Sequence, residues 1–272
     1  MKRPLRPEKP RLLEPHQVDL DDASLIVHVA DGAGFRDAHV PNAVHVAPAE
    51  LVCGIPPATG RLPSEAQLTG LFARIGYDPM RQVIAYDDEG GGWAGRFLWT
   101  LDVIGHHRWA YLNGGIHAWR AAGLPIERGP GTAPQPTRVS LAVDTTPIAE
   151  IDDVLLAMKD PAQVVWDVRS AEEFSGQRRA AKHVGHIPGA VHLDWMALKN
   201  PGDNLRLVTD LQSLLQAHGL TADKAIITHC QTHHRSGLSY MAARLLGYPN
   251  IRAYHGSWSE WGNRDDLPIT TR

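Results

Sequence analysis

The chain alternates between two hydrophobic periods. Short runs rich in β-branched residues, among them LIVHV at 25–29 and AIITH at 225–229, are separated by segments whose apolar residues return every three or four positions. One such segment is predicted to be a helix that begins at about Ser236 and ends at Gly247. Strands that alternate with helices predict βα units and a mainly parallel sheet with helices on both faces. The sequence therefore predicts an α/β fold.

The pattern occurs twice. LIVHVA at 25–30 matches VVWDVR at 164–169, and HVPNAVH at 39–45 matches HIPGAVH at 186–192. The second copy has extra residues between these motifs, within SGQRRAAK at 175–182. Further matches follow in the same order: 83–87 with 226–230, Gly105 with Gly247, Gly114 with Gly256, and Trp119 with Trp261. We therefore expect two similar domains.

A stretch rich in proline and glycine, ERGPGTAPQPT, lies between the two copies. Its composition is typical of a connector. We predict a first domain at 1–127, a linker at 128–145 and a second domain at 146–272. A chain of 272 residues is long enough for two domains that each bury a core.

Composition limits the possible partners and the cellular location of the protein. The chain is 43% hydrophobic and 21% charged with a net charge of -3, so nothing predicts binding to nucleic acid or to a membrane. The basic, proline-interrupted N-terminus lacks the apolar core of a secretory signal, and no apolar run is long enough for a spanning helix. We expect a cytoplasmic protein. Its internal pseudo-symmetry favours a monomer. Since only two cysteines occur, we expect no disulfide framework.

The two cysteines have different surroundings. Cys53 lies in the apolar stretch AELVCGIPP, which predicts plain packing. Cys230 follows the strand at 225–229 and precedes the helix that starts at about Ser236. Ligands bind at such strand ends, and backbone N–H groups beneath a helix N-terminus form a pocket for negative charge. Cys230 is therefore the candidate reactive group.

The loop after Cys230 favours a thiolate. A helix N-terminus and a nearby cation lower the pKa of a thiol. Arg235 is a permanent cation, and His229, His233 and His234 are protonatable neighbours. The same groups would stabilise a persulfide anion and attract an anionic donor such as thiosulfate.

On these residues the chain resembles the rhodanese family. The motifs that carry the resemblance are Cys230-x-x-x-x-Arg235-Ser236, Asp167-Val-Arg169, HIPGA at 186–190, and GSWSEW at 256–261 with Leu267-Pro268. The resemblance implies two tandem rhodanese-like domains. It also implies that only the second is catalytic, because Asp87 stands where the first domain would need a cysteine. The loop CQTHHRS is more similar to those of bacterial tandem-domain thiosulfate sulfurtransferases than to those of mercaptopyruvate enzymes.

The reaction that the resemblance implies is double displacement. Cys230 takes the outer sulfur of thiosulfate as a persulfide and passes it to cyanide or a thiol. The implied substrate-binding loop is Gln231, Thr232, His233, His234, Arg235 and Ser236. Asp167, Trp195, Arg178 and Arg179 are supporting candidates.

The identity of the donor stays open at this stage. Related enzymes bind substrate with an arginine where this chain has Glu173, which leaves Arg178, Arg179 or Lys182 as substitutes. The alternatives are a mercaptopyruvate-type donor, or a persulfide carrier that delivers sulfur to a partner protein.

Two other classes of site are weaker hypotheses. His229, Cys230, His233 and His234 resemble a set of metal ligands, but adjacent loop residues seldom all point at one ion, so we predict no metal and no cofactor. Protein tyrosine phosphatases also use a cysteine loop closed by arginine, but theirs is one residue longer. The segment DDEGGGW at 87–93 is predicted to be a degenerate loop, or else a surface that binds the catalytic domain.

Overall fold

The computed structural model describes residues 9–20 and 23–271. The first sheet has five parallel strands in the order β1-β5-β4-β2-β3. Its strands are β1 (Arg11–Leu13), β2 (Leu25–Val29), β3 (Val44–Val46), β4 (Val83–Asp87) and β5 (Trp109–Leu112). Its helices are α1 (Gly32–Asp37), α2 (Glu65–Arg74), α3 (Gly92–Val103) and α4 (Gly115–Ala121), with 3₁₀ turns at Pro15–Gln17 and Pro48–Leu51.

The second sheet repeats this arrangement. Its order is β6-β12-β11-β7-β8, again all parallel, so each strand has a counterpart at the same place in the first sheet. Its strands are β6 (Ile148–Ala149), β7 (Gln163–Asp167), β8 (Val191–His192), β11 (Ala225–His229) and β12 (Ile251–Tyr254). Strand β9 (Lys199–Asn200) pairs with β10 (Arg206–Leu207) in a separate antiparallel ribbon. The helices are α5 (Ile151–Ala157), α6 (Ala171–Phe174), α7 (Leu211–Ala217), α8 (Arg235–Leu245) and α9 (Ser257–Trp261), with 3₁₀ turns at Trp195–Leu198 and Pro201–Asp203. The α/β prediction is confirmed.

Both faces of each sheet are covered. In the first domain Phe72 and Phe97 pack on one face, while Phe35 and Trp119 pack on the other. The core on the α3 side continues into the second domain through residues such as Leu238. The two domains therefore share one apolar core.

The domains meet most closely where α3 crosses α8. A Cβ atom on Gly95 would lie 2.3 Å from the carbonyl oxygen of Gly237, and one on Gly237 would lie 2.4 Å from the backbone nitrogen of Arg96. Any side chain at either glycine would push the helices apart. The first turns of α3 and α8 are thus in direct backbone contact.

Charged hydrogen bonds reinforce this contact. The buried Asp102 carboxylate of the first domain accepts from the Tyr240 hydroxyl at 2.8 Å and from Arg244 Nε at 3.1 Å. A second group of charged contacts joins the domains at Arg61 of the first domain, which pairs with Glu150 at 2.7 Å and with Glu260 at 2.8 Å in the second. Because charged hydrogen bonds have a defined geometry, these two groups of contacts fix the position of one domain relative to the other.

The connector is ordered against the first domain. Residues 128–145, all of which the structure describes, contain no helix or strand. The Thr137 amide donates to the carbonyl of Ala73 at 3.0 Å, and Val139 and Leu141 pack against the shared core. The boundaries at 127 and 145 stay predictions. Across the described parts of the chain, none of the helices combines the length and apolar character needed to cross a bilayer.

Candidate active site

Cys230 directly follows β11, the central strand of the second sheet, and its side chain is fully buried. Its carbonyl accepts from the Trp258 amide at 2.9 Å. The hydroxyl of Ser257 accepts from the backbone amides of both Cys230, at 3.3 Å, and His233, at 3.1 Å. Ser257 has a left-handed φ of 54°, so α9 begins with a strained residue that ties the start of the loop to its middle.

The rest of the loop turns back toward the sulfur. His233 adopts a left-handed φ of 55°, and its Nδ1 lies 2.7 Å from the hydroxyl of Ser236. Helix α8 starts at Arg235, as the sequence predicted to within one residue. Ser236 lies in the first turn of α8, and hydrogen bonding by its hydroxyl and amide lowers the pKa of the Cys230 thiol. The first turn of α8 therefore supplies donors to an anionic sulfur.

The electrostatics of the loop favour the thiolate. Burial alone would raise the pKa of Cys230, but the charge of Arg235, the hydrogen bonds from Ser236 and the proximity of His234 together lower that pKa below its ordinary value. Burial disfavours the charge on Arg235, but its hydrogen bonds to Glu173 and its contact with Cys230 raise its pKa. Arg235 is thus a fixed cation beside the sulfur.

Glu173 is the counter-ion of Arg235. Arg235 Nη1 donates to Glu173 Oε2 at 2.6 Å and Nη2 donates to Oε1 at 2.9 Å. Glu173 is held in the first turn of α6, where its amide donates to the Ser170 hydroxyl and its carboxylate accepts from the Ser170 amide. Although burial opposes ionisation, the hydrogen bond and charge of Arg235 lower the pKa of Glu173. The acidic residue at this position therefore orients the loop arginine.

The loop histidines point in different directions. His229 Nδ1 lies 3.2 Å from the Cys230 carbonyl, His233 contacts Ser236, and His234 Nε2 contacts Glu89 of the first domain. Burial lowers the pKa of His229 and holds that of His233 well below its usual value. Within residues 9–20 and 23–271, no three His, Cys, Asp or Glu side chains are grouped as metal ligands would be. The arrangement gives the metal hypothesis no support.

The loop of the first domain forms part of the wall of this site. The ring of His234 stacks on Trp93 with centroids 4.3 Å apart, and Trp195 packs edge-on at 5.7 Å. The carbonyl of Glu89 accepts from Lys199 Nζ at 2.5 Å. The segment at 87–93 thus contacts the second domain through Glu89 and Trp93.

Asp87 occupies the position that Cys230 has in the second domain. Its carboxylate is buried and accepts from the amides of Gly90 at 3.0 Å, Gly91 at 2.8 Å and Ala94 at 2.9 Å. Burial first, and then the nearby charge of Glu89, raise the pKa of Asp87 to about 6. Backbone amides of the first-domain loop still surround an anion, but that anion is the carboxylate of Asp87 itself.

Of the supporting candidates, Asp167 is an internal structural group. It pairs with Arg169 at 2.5 Å and lies 3.6 Å from His229 Nε2. Arg169 in turn donates to the Gly185 carbonyl at 2.8 Å and stacks on Trp258. The Trp258 amide donates to the Cys230 carbonyl, so the network of Asp167, Arg169 and Trp258 holds the first residue of the loop in place.

Trp195 and the arginines of the extra segment lie around the loop. Trp195 is half-buried against His234 and has Lys199 Nζ 3.5 Å from its ring centre. Arg178 and Arg179 are exposed. Gln231 Nε2 donates to the carbonyl of Ala180 at 2.9 Å, so the segment at 175–182 is joined to the loop through its backbone. Lys182 pairs with Asp265.

Cys53 differs from its prediction. It is half-buried in the loop between the turn at Pro48–Leu51 and α2, with its sulfur 3.4 Å from the carbonyl of Ala58 and 3.6 Å from that of Thr59. The prediction of plain apolar packing is wrong, because the flanking prolines and glycine make this apolar stretch an irregular loop.

Several residues of the site give no signal in the sequence. Arg96 lies in the other domain behind the loop and has no sequence motif around it, and Ser257 is visible only as part of a motif. The capping box from Ser170 to Glu173 indicates the start of α6, but no local pattern indicates the partner of Glu173.

Comparison with known proteins places the chain in a family. The model of the rhodanese-like domain matches residues 13–122 and 150–264. The chain therefore belongs to the rhodanese family.

Individual relatives agree. The chain is 45% identical over 246 residues, 90% of each chain, to a thiosulfate sulfurtransferase of Azotobacter vinelandii. It is 44% identical, with the same coverage, to a thiosulfate sulfurtransferase of Pseudomonas aeruginosa. Among solved structures, the anaerobic ergothioneine biosynthesis enzyme of Chlorobium limicola matches with a TM-score of 0.85 at 19% identity, over 96% of this chain and 70% of that one. This last likeness shows the fold alone. The predicted family, the tandem fold and the interpretation of the chain as a sulfurtransferase are confirmed.

Proposed function

We propose that the protein moves a sulfane sulfur from thiosulfate to cyanide or a thiol through a persulfide on Cys230. The observation that carries this proposal is a fully buried cysteine whose pKa is nevertheless lowered, because Arg235 and the first turn of α8 are directed at its sulfur. A buried thiol of purely structural use has no need of these groups.

The chemistry needs no outside oxidant. The Cys230 thiolate attacks the outer sulfur of thiosulfate, a new S–S bond forms, and sulfite leaves with the electrons of the broken bond. The acceptor then attacks the terminal sulfur of the persulfide and the thiolate returns. Cyanide would leave as thiocyanate. In both states the sulfur is anionic, so Arg235 and the amide and hydroxyl of Ser236 serve both half-reactions.

The geometry favours thiosulfate over a donor that carries a carboxylate. Glu173 takes the paired Nη1 and Nη2 donors of Arg235, so a donor carboxylate could not bind that edge of the guanidinium. Thiosulfate is also the substrate in the names of the two relatives above. A mercaptopyruvate-type donor would have to rely on the exposed Arg178 or Arg179. Delivery of the sulfur to a partner protein remains the alternative for the second half-reaction.

The test is a comparison of kcat/KM for thiosulfate and mercaptopyruvate with cyanide as acceptor. We expect thiosulfate to be preferred, Cys230→Ala to be inactive and Cys53→Ala to be active. Turnover by Cys230→Ala would contradict the mechanism. A preference for mercaptopyruvate would contradict the choice of donor while leaving the mechanism intact.

Two expectations about the setting stay predictions. We propose a cytoplasmic location, supported by two cysteines that are both free. We propose a monomer, supported by the internal pairing of the two domains through α3 and α8. Size-exclusion chromatography with light scattering tests the second.

A further inference from the structure

Arg96 is a buried cation of the first domain that lies behind the active-site loop. It is the neighbour of Gly95 on α3, at the point where α3 touches α8. Its side chain is fully buried. Nη1 donates to the carbonyl of Gly60 at 2.8 Å, and Nη2 donates to the carbonyl of Leu51 at 2.6 Å. The guanidinium also stacks on Trp99 at 4.6 Å.

The charge of Arg96 has an unusual set of neighbours. In the part of the chain that the structure describes, its Nε has no hydrogen-bond partner. Burial lowers the pKa of Arg96 to about 9, and the nearby side chains of Cys230 and, to a smaller extent, Cys53 oppose this effect. A buried arginine is normally paired with a carboxylate, because an uncompensated buried charge is costly. Here the two hydrogen-bond acceptors of the guanidinium are backbone carbonyls.

Arg96 also holds the two groups against which the loop rests. Gly60, whose carbonyl it binds, lies so close to the loop that a Cβ atom there would be 2.0 Å from the carbonyl oxygen of Thr232. Trp99, on which it stacks, meets the ring of His233 edge-on with centroids 4.5 Å apart. Thr232 and His233 form the apex of the loop, so both apex residues rest on partners that Arg96 fixes.

We propose that Arg96 is a positioning residue for sulfur transfer, by which the first domain holds the loop apex in place. The proposal rests on Cys230 as the reactive thiol. The first domain is then a working part of the active site, although its own loop has no cysteine.

The groups that lower the pKa of Cys230 lie in the loop and at the start of α8. They are Arg235, Ser236 and His234. The loop's other buried histidine, His233, is neutral because burial holds its pKa far below neutrality. If the loop apex moves in an Arg96 variant, these groups should lose their positions around the sulfur, and the pKa of the Cys230 thiol should rise.

The test uses Arg96→Gln and Arg96→Lys, both in a Cys53→Ser background so that only Cys230 reacts. The first readout is the rate of alkylation by iodoacetamide from about pH 5 to about pH 8, which reports the thiol pKa independently of any sulfur donor. The second is the single-turnover rate of persulfide formation with thiosulfate. The matched control is Arg74→Gln, an exposed arginine of the same domain that pairs with Glu50.

We expect Arg96→Gln to move the alkylation midpoint up, which lowers the rate on the acid side by about three- to tenfold, since one pH unit is tenfold in thiolate. Arg96→Lys cannot bind both carbonyls but can retain one, so persulfide formation should slow at least about threefold with a smaller shift of the midpoint. Arg74→Gln should match the parent in both.

Unchanged midpoints and persulfide rates in folded Arg96 variants would overturn the proposal, even if the melting temperature fell. If Arg96→Gln does not fold, Arg96→Lys decides alone: a parental persulfide rate overturns the proposal. A parent that is alkylated normally but takes no sulfur from thiosulfate would instead contradict the proposed donor.

Discussion

Arg235 and Glu173 form a two-point ion pair at the active-site loop, with Nη1 and Oε2 2.6 Å apart and Nη2 and Oε1 2.9 Å apart. The glutamate is almost fully buried and the arginine largely so. The pair fixes the cation that lowers the pKa of Cys230. It therefore links the stability of α6 and α8 to the chemistry of the loop.

Glu173→Gln should destabilise the protein by about 1–3 kcal/mol at neutral pH, because it leaves the Arg235 guanidinium without its charge partner. The pKa of Glu173 is lowered in the folded state, so the contribution is present above the unfolded value of 4.5 and is lost as the pH falls through the folded one. Urea unfolding at neutral and acidic pH measures this.

The control for that experiment is Glu172→Gln, the exposed neighbour on the same helical turn. It should stay close to the parent at neutral pH. Equal stability of the two variants at neutral pH would show that the ion pair between Glu173 and Arg235 contributes nothing to folding.

His28 should make the protein sensitive to acid. It is fully buried, stacks on Tyr86 with centroids 4.3 Å apart, and has no hydrogen-bond partner for either ring nitrogen among the described residues. Burial, with smaller effects of His39 and His45, lowers the pKa of His28 from 6.5 to about 3. The unfolded chain binds this proton more readily, so stability is full above 6.5 and falls as the pH drops below it, by up to about 1.4 kcal/mol per pH unit.

His28→Leu removes that titration. We expect the variant to lose less stability than the parent between about pH 7.5 and about pH 5, by about 1–2 kcal/mol. Urea unfolding at the two pH values measures it, with His218→Gln at the exposed end of α7 as the control. Parallel losses in His28→Leu and the parent would mean that His28 takes up a proton in the folded state.

Tyr240→Phe tests the charged contact between the domains. The Tyr240 hydroxyl donates to the buried Asp102 carboxylate at 2.8 Å, and Trp109 Nε1 donates to the same group at 2.9 Å. Loss of one hydrogen bond to a buried charge should cost about 1.5–3 kcal/mol in the free energy of unfolding. Tyr248→Phe removes a hydroxyl that donates to the uncharged carbonyl of Leu220 and should cost about 0.5–1.5 kcal/mol. If Tyr240→Phe cost no more than Tyr248→Phe, Asp102 would not be a central part of the interface.

Local features of the sequence are sufficient to predict the fold and to select Cys230 as the candidate reactive cysteine. Strand and helix periods are short-range patterns, so the duplication and the loop between β11 and α8 could be predicted, with the helix start placed at Ser236 instead of Arg235. The match of Asp87 to Cys230 follows from the duplication alone.

Partnerships across long separations could not be predicted. Glu173 and Arg235 are 62 positions apart, and Glu89 and His234 are 145 apart. No periodic pattern records such pairs, because they depend on how the helices and domains pack. For the same reason the sequence marks Glu173 only as a departure from the family pattern and gives no signal for Arg96.

Cys230 as the carrier of the sulfur is tested most directly by mass spectrometry of protein incubated with thiosulfate and digested without reductant. We predict one added sulfur on the peptide that contains Cys230, none on the peptide that contains Cys53, and none anywhere in Cys230→Ala. Sulfur on Cys53, or on both cysteines alike, would contradict a persulfide confined to the second domain.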